Sequence, residues 1–458
     1  SVRNQYVATL CVNFGTIGYG MAIGWTSSSL PILQSDESPL PTGSIDDEQA
    51  SWIGGSLCIG GLLGTILTGW SLEILGRKKT ALTLAIPQIL SIFSIMFAQN
   101  FYYLTASRFL SGYGGGGVMV VIPIFIAEIS EDRIRGQLSS AMVFSCNIGV
   151  LTTFIFGHFL TYSQITWGLL PVPIIYFIGT LFLPETPAFL MKKNLIEQSE
   201  NALRFYRTKR RNSFDSIQFK EELMKLQTGF KETKEDFSGP QVTLSDFGTK
   251  HAAKSFTIGL ALIALNQFCG IFAMMNYTAS IFAESGSNLS PTICAIIVGF
   301  IGLLGSYCSA VLVDRSGRKV LLSLSAGGTC LGLAIFGGYA YVKYLQYDIE
   351  SFRWIPLTSF SFTIFISSWG VMTLPFVVIS EILPQKIKSL VTTILMTFLW
   401  IFSFIAIKYL SLLFMVFGMH GTMFLFSTCS LLGMIFILLF LPETKGKNFD
   451  EIRKIFEK

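Results

Sequence analysis

Charged residues are scarce in this sequence. Asp, Glu, Lys and Arg make up 13% of its 458 residues, whereas hydrophobic residues make up 51%. A soluble globule of this length needs more polar material than that to cover its surface. The composition therefore excludes a soluble protein and indicates an integral membrane protein. The formal net charge of +5 is then explained by membrane topology, and no nucleic-acid partner is expected.

The sequence also has few histidines and no closely spaced pair of cysteines. There are three histidines, and none of the eight cysteines belongs to a CxxC pair. We therefore expect free thiols, no disulfide framework, no metal site and no cofactor. The apolar segments offer no pairing of a nucleophile with a base, so an enzyme is not expected.

Apolar runs long enough to cross about 30 Å of hydrocarbon occur twelve times along the chain. Their approximate limits are 6–30, 50–72, 80–98, 102–127, 138–160, 167–183, 253–284, 292–313, 320–342, 354–380, 389–416 and 421–441. The first run lacks a small-residue cleavage pattern, so we expect a span there and not a signal peptide. The sequence thus predicts an all-α membrane protein with twelve transmembrane helices.

The loops between these runs alternate in charge. Basic residues follow the second, fourth, eighth and tenth runs, namely Arg77, Lys78, Lys79, Arg133, Arg135, Arg315, Arg318, Lys319, Lys386 and Lys388. The loop after the first run instead holds five acidic residues and no Lys or Arg. By the positive-inside rule, the basic loops and both termini face the cytoplasm. The plasma membrane is the expected location.

One stretch, 184–250, is rich in charged residues and separates the sixth apolar run from the seventh. It contains the basic run "RFYRTKRR" at 204–211. Between the sixth and seventh runs, a cytoplasmic helical linker near anionic lipid headgroups is the favoured interpretation. The predicted organisation is a six-helix half at 1–183, the linker at 184–250, a second six-helix half at 251–441 and a cytoplasmic tail at 442–458.

Three short patterns recur in the two halves in the same order. "LEILGRKK" after the second run matches "LVDRSGRK" after the eighth, with Arg77 and Arg318 separated by 318 − 77 = 241 residues. Glu128 and Glu381 are 381 − 128 = 253 residues apart, and the two "LPET" segments at 183–186 and 441–444 are 258 apart. This agreement in order and spacing predicts a duplicated six-span unit, an architecture that allows two halves to rock around a central site.

The repeated charged residues lie where a gate is needed. We expect the carboxylates of Glu128 and Glu381 to meet basic side chains across the interface of the halves and to hold the cytoplasmic side closed. The predicted gate consists of Arg77, Glu128, Arg135, Asp314, Arg318, Glu381 and Lys388. The alternative is that these charges only set the membrane topology, and that each exposed ion pair contributes under about 1 kcal/mol to stability.

A family resemblance follows from these motifs. "LGRKK", "RFLSGYGGGG", Glu128 with "RGQ" (135–137), "LPETP", "NQFCGI", "DRSGRK" and "PETKGK" together resemble the sugar porters of the major facilitator superfamily, the class of the facilitative glucose transporters. "SWIGG", "SEILPQKIK" and "CAIIVGFIG" look most like the insect trehalose-transporter-like branch. The resemblance implies twelve helices in two halves, alternating access and a sugar-sized site at the midplane.

The resemblance also assigns candidate substrate contacts. In "NQFCGIFAMMNY" (266–277), two amides fill positions of the family's QQxSGIN motif, while Phe272 replaces its last Asn. Three amide positions of glucose carriers are Val143, Gly302 and Leu399 here, and Phe376 replaces the Trp of their tenth-span motif, which makes the cavity less polar. The candidate set is Gln267 for a direct hydroxyl contact, Asn266 and Asn276 in support, Trp400, Phe272 and Phe376 as walls, and Asn147 as a secondary amide. Helix-to-helix hydrogen bonding is the alternative role for the amides.

Three functions remain open. They are a facilitative carrier of a sugar or sugar-like polyol, a carrier of the same fold for a less polar molecule, and a non-transporting nutrient receptor. The first run contains no Asp or Glu, although Arg108 lies in the fourth, so we expect a uniporter without proton coupling. Arg108 and Lys408 are expected to bond to backbone carbonyls or to snorkel outward. We also expect a functional monomer surrounded by lipid, and Asn288 in "NLS" is a candidate for glycosylation.

Overall fold

Twelve long apolar helices dominate the computed structural model, which describes residues 2–207, 224, 249–384, 387–445, 447 and 449–457. Within this part of the chain the spans are Val2–Leu33, Asp47–Ile74, Arg77–Met96, Phe101–Ile129, Arg133–Phe159, Tyr162–Leu181, Lys250–Asn276, Pro291–Leu312, Arg318–Tyr344, Glu350–Ile382, Leu390–Lys408 and Leu410–Phe440. The prediction of twelve transmembrane helices is confirmed. We refer to them below as the first to the twelfth span.

The seventh and tenth spans are broken helices, which hydropathy alone does not reveal. The predicted continuous run 253–284 is instead three helices, Lys250–Phe268, Ile271–Asn276 and Thr278–Ser285. The first break falls at Gly270, whose φ of 80° is a left-handed conformation that ends a helix and favours glycine. The tenth span divides into Ile355–Trp369 and Leu374–Ile382.

The predicted eleventh span, 389–416, extends too far. The helix ends at Lys408, and the next helix begins at Leu410 after one intervening residue and is interrupted at Gly418, whose φ is 67°. The sequence from Leu390 to Phe417 is almost continuously apolar, so a hydropathy window has no signal for a break there. The charged end of Lys408 marks the true boundary.

The spans pack as two six-helix halves. In the first half the second and third spans pack on the fourth, and in the second half the ninth packs on the tenth and twelfth. The halves meet where the second span contacts the eleventh and where the fifth contacts the eighth. We term the end of the bundle that holds Arg77 and Arg318 the basic end, and the opposite end, which holds Asp47 and Glu48, the acidic end.

Short helices lie at the basic end beside the spans. Pro187–Lys192 and Ile196–Arg207 follow the sixth span and pack near the fourth and first spans. They form the described part of the predicted linker, and 208–223 and 225–248 lie outside the described residues. The last helix, Phe449–Glu457, packs against the start of the seventh span, where the ring of Phe456 stacks on His251 at 5.2 Å.

Candidate substrate path and its gates

Two buried amides lie at the end of the seventh-span helix. The side chains of Asn266 and Gln267 bond to each other, with 2.6 Å from Gln267 Nε2 to Asn266 Oδ1. The hydroxyl of Ser403 donates to Gln267 Oε1 at 2.8 Å, and Asn266 Nδ2 donates to the carbonyl of Val371 at 2.7 Å. This network joins the seventh, tenth and eleventh spans. In this conformation both amides hold the second half together.

The broken helices explain why a polar network forms in an apolar bundle. The tenth-span helix stops at Trp369 and restarts at Leu374, which leaves the carbonyl of Val371 available for Asn266. Within a membrane, such freed backbone groups must find partners inside the protein. Discontinuous helices that expose carbonyls and amides in this way commonly line binding sites in transporters.

The other amides and aromatic residues of the candidate set lie apart from this network. Asn276 Nδ2 donates to the carbonyl of Phe272 at 2.9 Å, but its Oδ1 is buried and has no partner. Trp400 is buried and donates from Nε1 to Thr65 Oγ1 across the halves at 2.8 Å. Phe376 is more than one-third exposed. Asn147, on the fifth span, is half-buried.

Sequence reasoning missed Ser403, which supplies the hydroxyl that fixes Gln267. A serine inside an apolar helix carries no signal of its own, because it commonly bonds to the carbonyl four residues earlier. Ser403 indeed makes this bond to Leu399 as well. Its role follows only from the packing of the eleventh span on the seventh.

The acidic end of the bundle is closed by polar contacts between the halves. Lys408 Nζ pairs with Glu48 Oε1 at 2.7 Å, bonds to Ser51 Oγ at 2.7 Å and lies 4.6 Å from the ring centroid of Trp52. The expectation that Lys408 would bond to backbone carbonyls or snorkel is therefore wrong. A carboxylate on the neighbouring span compensates its charge.

Two further contacts reinforce this closure. The backbone N–H of Ala279 donates to Ser27 Oγ at 2.9 Å, which joins the first span to the segment after the seventh. His158 Nδ1 and Thr292 Oγ1 lie 2.8 Å apart and join the fifth span to the eighth. Together with the contact between Trp400 and Thr65, they keep the halves together from the acidic end to the middle of the bundle.

At the basic end, the first half carries a compact charged cluster. Arg77 pairs with Glu128, at 2.6 Å from Nη2 to Oε1, and Thr186 Oγ1 donates to Glu128 Oε2 at 2.5 Å. Glu185 accepts hydrogen bonds from the backbone N–H groups of Arg77 and Lys78 at 3.1 and 3.0 Å. A carboxylate at this position caps the positive end of the third-span helix.

The second half repeats this cluster residue for residue. Arg318 pairs with Glu381 at 3.1 Å, and Thr444 Oγ1 donates to Glu381 Oε2 at 2.5 Å. Glu443 accepts from the backbone N–H groups of Arg318 and Lys319 at 2.8 and 3.1 Å. The duplication inferred from sequence thus appears as two matching arrangements of Arg, Glu and Thr.

The clusters pair the predicted gate carboxylates within each half, in a conformation whose closed end is the opposite one. We expected Glu128 and Glu381 to pair across the interface, but the partners described above lie in the same half as each carboxylate. Arg135, on the fifth span, donates to the carbonyl of Ser130 at 3.4 Å, and Lys388 is the first residue of the helix that contains the eleventh span. Asp314 lies near the end of the eighth span, and its side chain is outside the described part.

Glu185, Thr186, Glu443 and Thr444 were not among the predicted gate residues, although the repeated "LPET" was visible. The glycine before each pair of basic residues explains why the carboxylate of "LPET" can lie so close to the start of the helix. A Cβ on Gly76 would come within 2.5 Å of Glu185 Oε2, and one on Gly317 would collide with Glu443 Oε2. The pattern Gly-basic-basic therefore marks the helix start that a distant carboxylate approaches closely.

Two like halves, matching charged clusters at one end and a closed interface at the other define a membrane transport protein of the alternating-access kind. The family model described as "Sugar (and other) transporter" matches residues 8–456. The chain belongs to this family, as its motifs indicated.

Curated relatives include insect transporters. The chain is 31% identical over 455 residues to the facilitated trehalose transporter Tret1 of Polypedilum vanderplanki, covering 99% of this chain and 88% of the relative. It is 31% identical over 453 residues to trehalose transporter 1 of Drosophila melanogaster, again covering 99% of this chain. The chain spans about half, 52%, of that longer relative.

Solved structures show the same fold. The inward-open xylose transporter XylE from E. coli aligns with a TM-score of 0.79 at 19% identity, over 98% of this chain and 99% of that one. The proton:xylose symporter XylE bound to 6-bromo-6-deoxy-D-glucose aligns with a TM-score of 0.73 at 20% identity, over 99% of both chains. At these identities the likeness establishes the major facilitator fold.

Proposed function

We propose that this protein is a facilitative carrier that equilibrates a sugar across a membrane by alternating access. The observation that carries this proposal is the closure of the acidic end by contacts between two like halves, since a carrier closes one end at a time around a central site. The insect relatives, named as trehalose transporters, support a sugar as the substrate.

The proposed orientation places the basic end in the cytoplasm. Arg77, Arg318 and the repeated clusters lie at this end, as the positive-inside rule requires. In the conformation described here the substrate path would then open toward the cytoplasm. A plasma-membrane location, cytoplasmic termini and function as a monomer in contact with lipid complete this assignment. Asn288 is exposed at the acidic end and would face outside, where glycosylation occurs.

The proposed substrate contacts lie between the halves. Asn276 Oδ1 is a buried acceptor without a partner, and a sugar hydroxyl is a suitable donor for it. Gln267 has one further N–H and one further lone pair beyond its bonds with Asn266 and Ser403, and these can bond to a substrate hydroxyl. Trp400 and Phe376 would supply the apolar faces on which a sugar ring packs, with Phe272 and Asn147 as further candidate contacts.

The basic-end clusters are the proposed gate of the opposite state. When this end closes, Glu128 and Glu381 are expected to attract Arg135 and Lys388, which begin the fifth and eleventh spans. Glu381→Gln keeps the shape of the side chain but removes its charge, so it should raise the labelling rate of a cysteine at the basic end. An unchanged rate in both Glu381→Gln and Glu128→Gln would remove the gate from the mechanism.

Ligand-dependent thermal stability distinguishes the candidate substrates. A ligand that binds only the folded protein raises the unfolding temperature in a concentration-dependent manner. Trehalose and glucose should stabilise the purified protein, while apolar compounds of similar size should not. Stabilisation by the apolar compounds alone would replace the sugar with a less polar substrate, the alternative favoured by Val143, Gly302 and Leu399.

A further inference from the structure

A small cavity lies among four spans of the first half. It has a volume of about 30 Å³ and is lined by residues of the first, third, fourth and sixth spans, including Trp25, Gln88, Ser91, Arg108 and Ser111. A cavity needs about 10–15 Å³ on this measure to hold one water molecule, so this cavity has room for about two water-sized groups. The cavity is far too small for a sugar.

The guanidinium of Arg108 lies in the wall of this cavity and is almost fully buried, at 1% exposure. Its Nη1 donates to the carbonyl of Ala22, and the group lies over the ring of Trp25 at 5.5 Å. Its Nε and Nη2 atoms are buried and have no hydrogen-bond partner. These two atoms form one edge of the guanidinium, the fork that binds an anion with two parallel N–H groups.

No carboxylate compensates this charge among the described residues. The sequences of the first, third and sixth spans contain no Asp or Glu. The fourth contains only Glu128, which is twenty residues, or about 30 Å of helix, from Arg108 and is paired with Arg77. The ionisable side chains that act on Arg108 are Cys58, Tyr19 and Tyr277, which are neutral near pH 7.

The remaining polar groups of the wall complete a donor-rich site. Trp25 Nε1 is a second buried donor without a partner. The hydroxyls of Ser91 and Ser111 lie 2.5 Å apart, so one of them can turn its proton toward the cavity. Gln88 Oε1 is a buried acceptor without a partner, and a water molecule beside the anion would satisfy it.

We propose that this cavity binds one small monovalent anion, of which chloride is the physiological representative, on the Nε and Nη2 edge of Arg108 and the indole N–H of Trp25. A buried charge is stable only when it is paired, and the bound anion supplies the missing negative charge. All four lining spans belong to the first half, so the anion stabilises this half as a rigid body and is not transported with the sugar.

Chloride titration of the purified full chain tests this site. Sodium chloride replaces sodium gluconate at constant ionic strength while the unfolding temperature is followed. The site predicts a saturable rise that bromide reproduces, because a specifically bound anion adds stability by mass action. Identical unfolding temperatures in chloride and gluconate would overturn the proposal.

Variants localise the effect. Arg108→Gln should abolish the saturable rise, whereas the matched control Arg353→Gln, an exposed arginine of the second half paired with Glu350, should retain it. Trp25→Phe keeps an aromatic face but removes one donor, so it should raise the half-saturating chloride concentration about fivefold. Trp25→Phe also decides the question if Arg108→Gln does not fold. A response that is unchanged in these cavity variants would place the anion elsewhere and overturn the assignment.

Discussion

Lys408 of the eleventh span and Glu48 of the second form an ion pair between the two halves of the protein, with 2.7 Å from Nζ to Oε1. The lysine side chain is 7% exposed, whereas the glutamate side chain is 72% exposed. The pair therefore joins a buried cation to a carboxylate at the protein surface. It forms only when the acidic end is closed, because the two spans belong to different halves.

Breaking this pair should favour opening of the acidic end. Glu48→Gln leaves the ammonium of Lys408 buried without a negative partner, and a buried unpaired charge is unfavourable. The labelling rate of a cysteine introduced at position 27, in place of the serine that bonds to Ala279, should rise severalfold. Glu350→Gln removes a carboxylate of the same end that pairs with Arg353 of its own half, and it should leave the rate unchanged. Equal rates in both variants would contradict a locking role.

Gln267 should contribute to sugar affinity, although both polar atoms of its amide already have one partner each here. Gln267→Ala should weaken binding by about 1–3 kcal/mol, mainly because a substrate hydroxyl loses its partner. Titration of the unfolding temperature with sugar measures the change. Gln137→Ala, which removes an exposed amide at the basic end, is the matched control. Unaltered affinity together with reduced stability would assign Gln267 to helix packing alone.

Gly76→Ala should destabilise the first half. The backbone of Gly76 has φ of 91°, and an added Cβ would meet the Glu185 carboxylate. Left-handed strain costs roughly 1–3 kcal/mol for a residue with a side chain. Gly69→Ala is a control within the second-span helix, where a Cβ meets nothing within 4 Å, and it should be neutral or stabilising. Thermal unfolding of both variants measures the difference in stability. Equal unfolding temperatures would argue against the close approach of Glu185 to the helix start at Gly76.

Stability should depend on pH through Glu443. Burial alone would raise the pKa of this carboxyl, but backbone N–H groups of Lys445, Arg318, Lys319 and Thr444 outweigh burial and hold the pKa below its ordinary value. A carboxylate of lowered folded pKa contributes stability above its unfolded pKa, about 4.3, and loses it as pH falls through the folded value. Between about pH 5 and pH 3 the unfolding temperature of Glu443→Gln should therefore fall less than that of the unaltered protein. Parallel pH profiles would contradict this account.

The sequence predicted the fold because hydropathy and repeated motifs are local signals. Twelve apolar runs and two "LPET" segments are visible without any tertiary contact. The pair between Glu48 and Lys408 was not predictable in this way, since its members are 360 residues apart and neither belongs to a repeated motif. The bond between Ser403 and Gln267 likewise depends on how two spans rotate against each other.

The candidate site was likewise predictable from the sequence only in part. Its residue types followed from the motif around Asn266 and Gln267, but their hydrogen bonds depend on breaks in the seventh and tenth spans. Hydropathy does not detect these breaks, because Gly270 and the residues from Gly370 to Thr373 lie within apolar runs. The free acceptor of Asn276 also became apparent only from three-dimensional packing.

Downhill, proton-independent sugar flux is the central claim, and uptake of radiolabelled trehalose into proteoliposomes tests it most directly. Carboxylates of the spans lie near helix ends, and the first span has none, so no acidic group at the midplane can carry a proton through the cycle. We expect uptake that stops when inside and outside concentrations are equal, with the same endpoint under an imposed pH gradient. Accumulation above the outside concentration that collapses on adding a protonophore would contradict it.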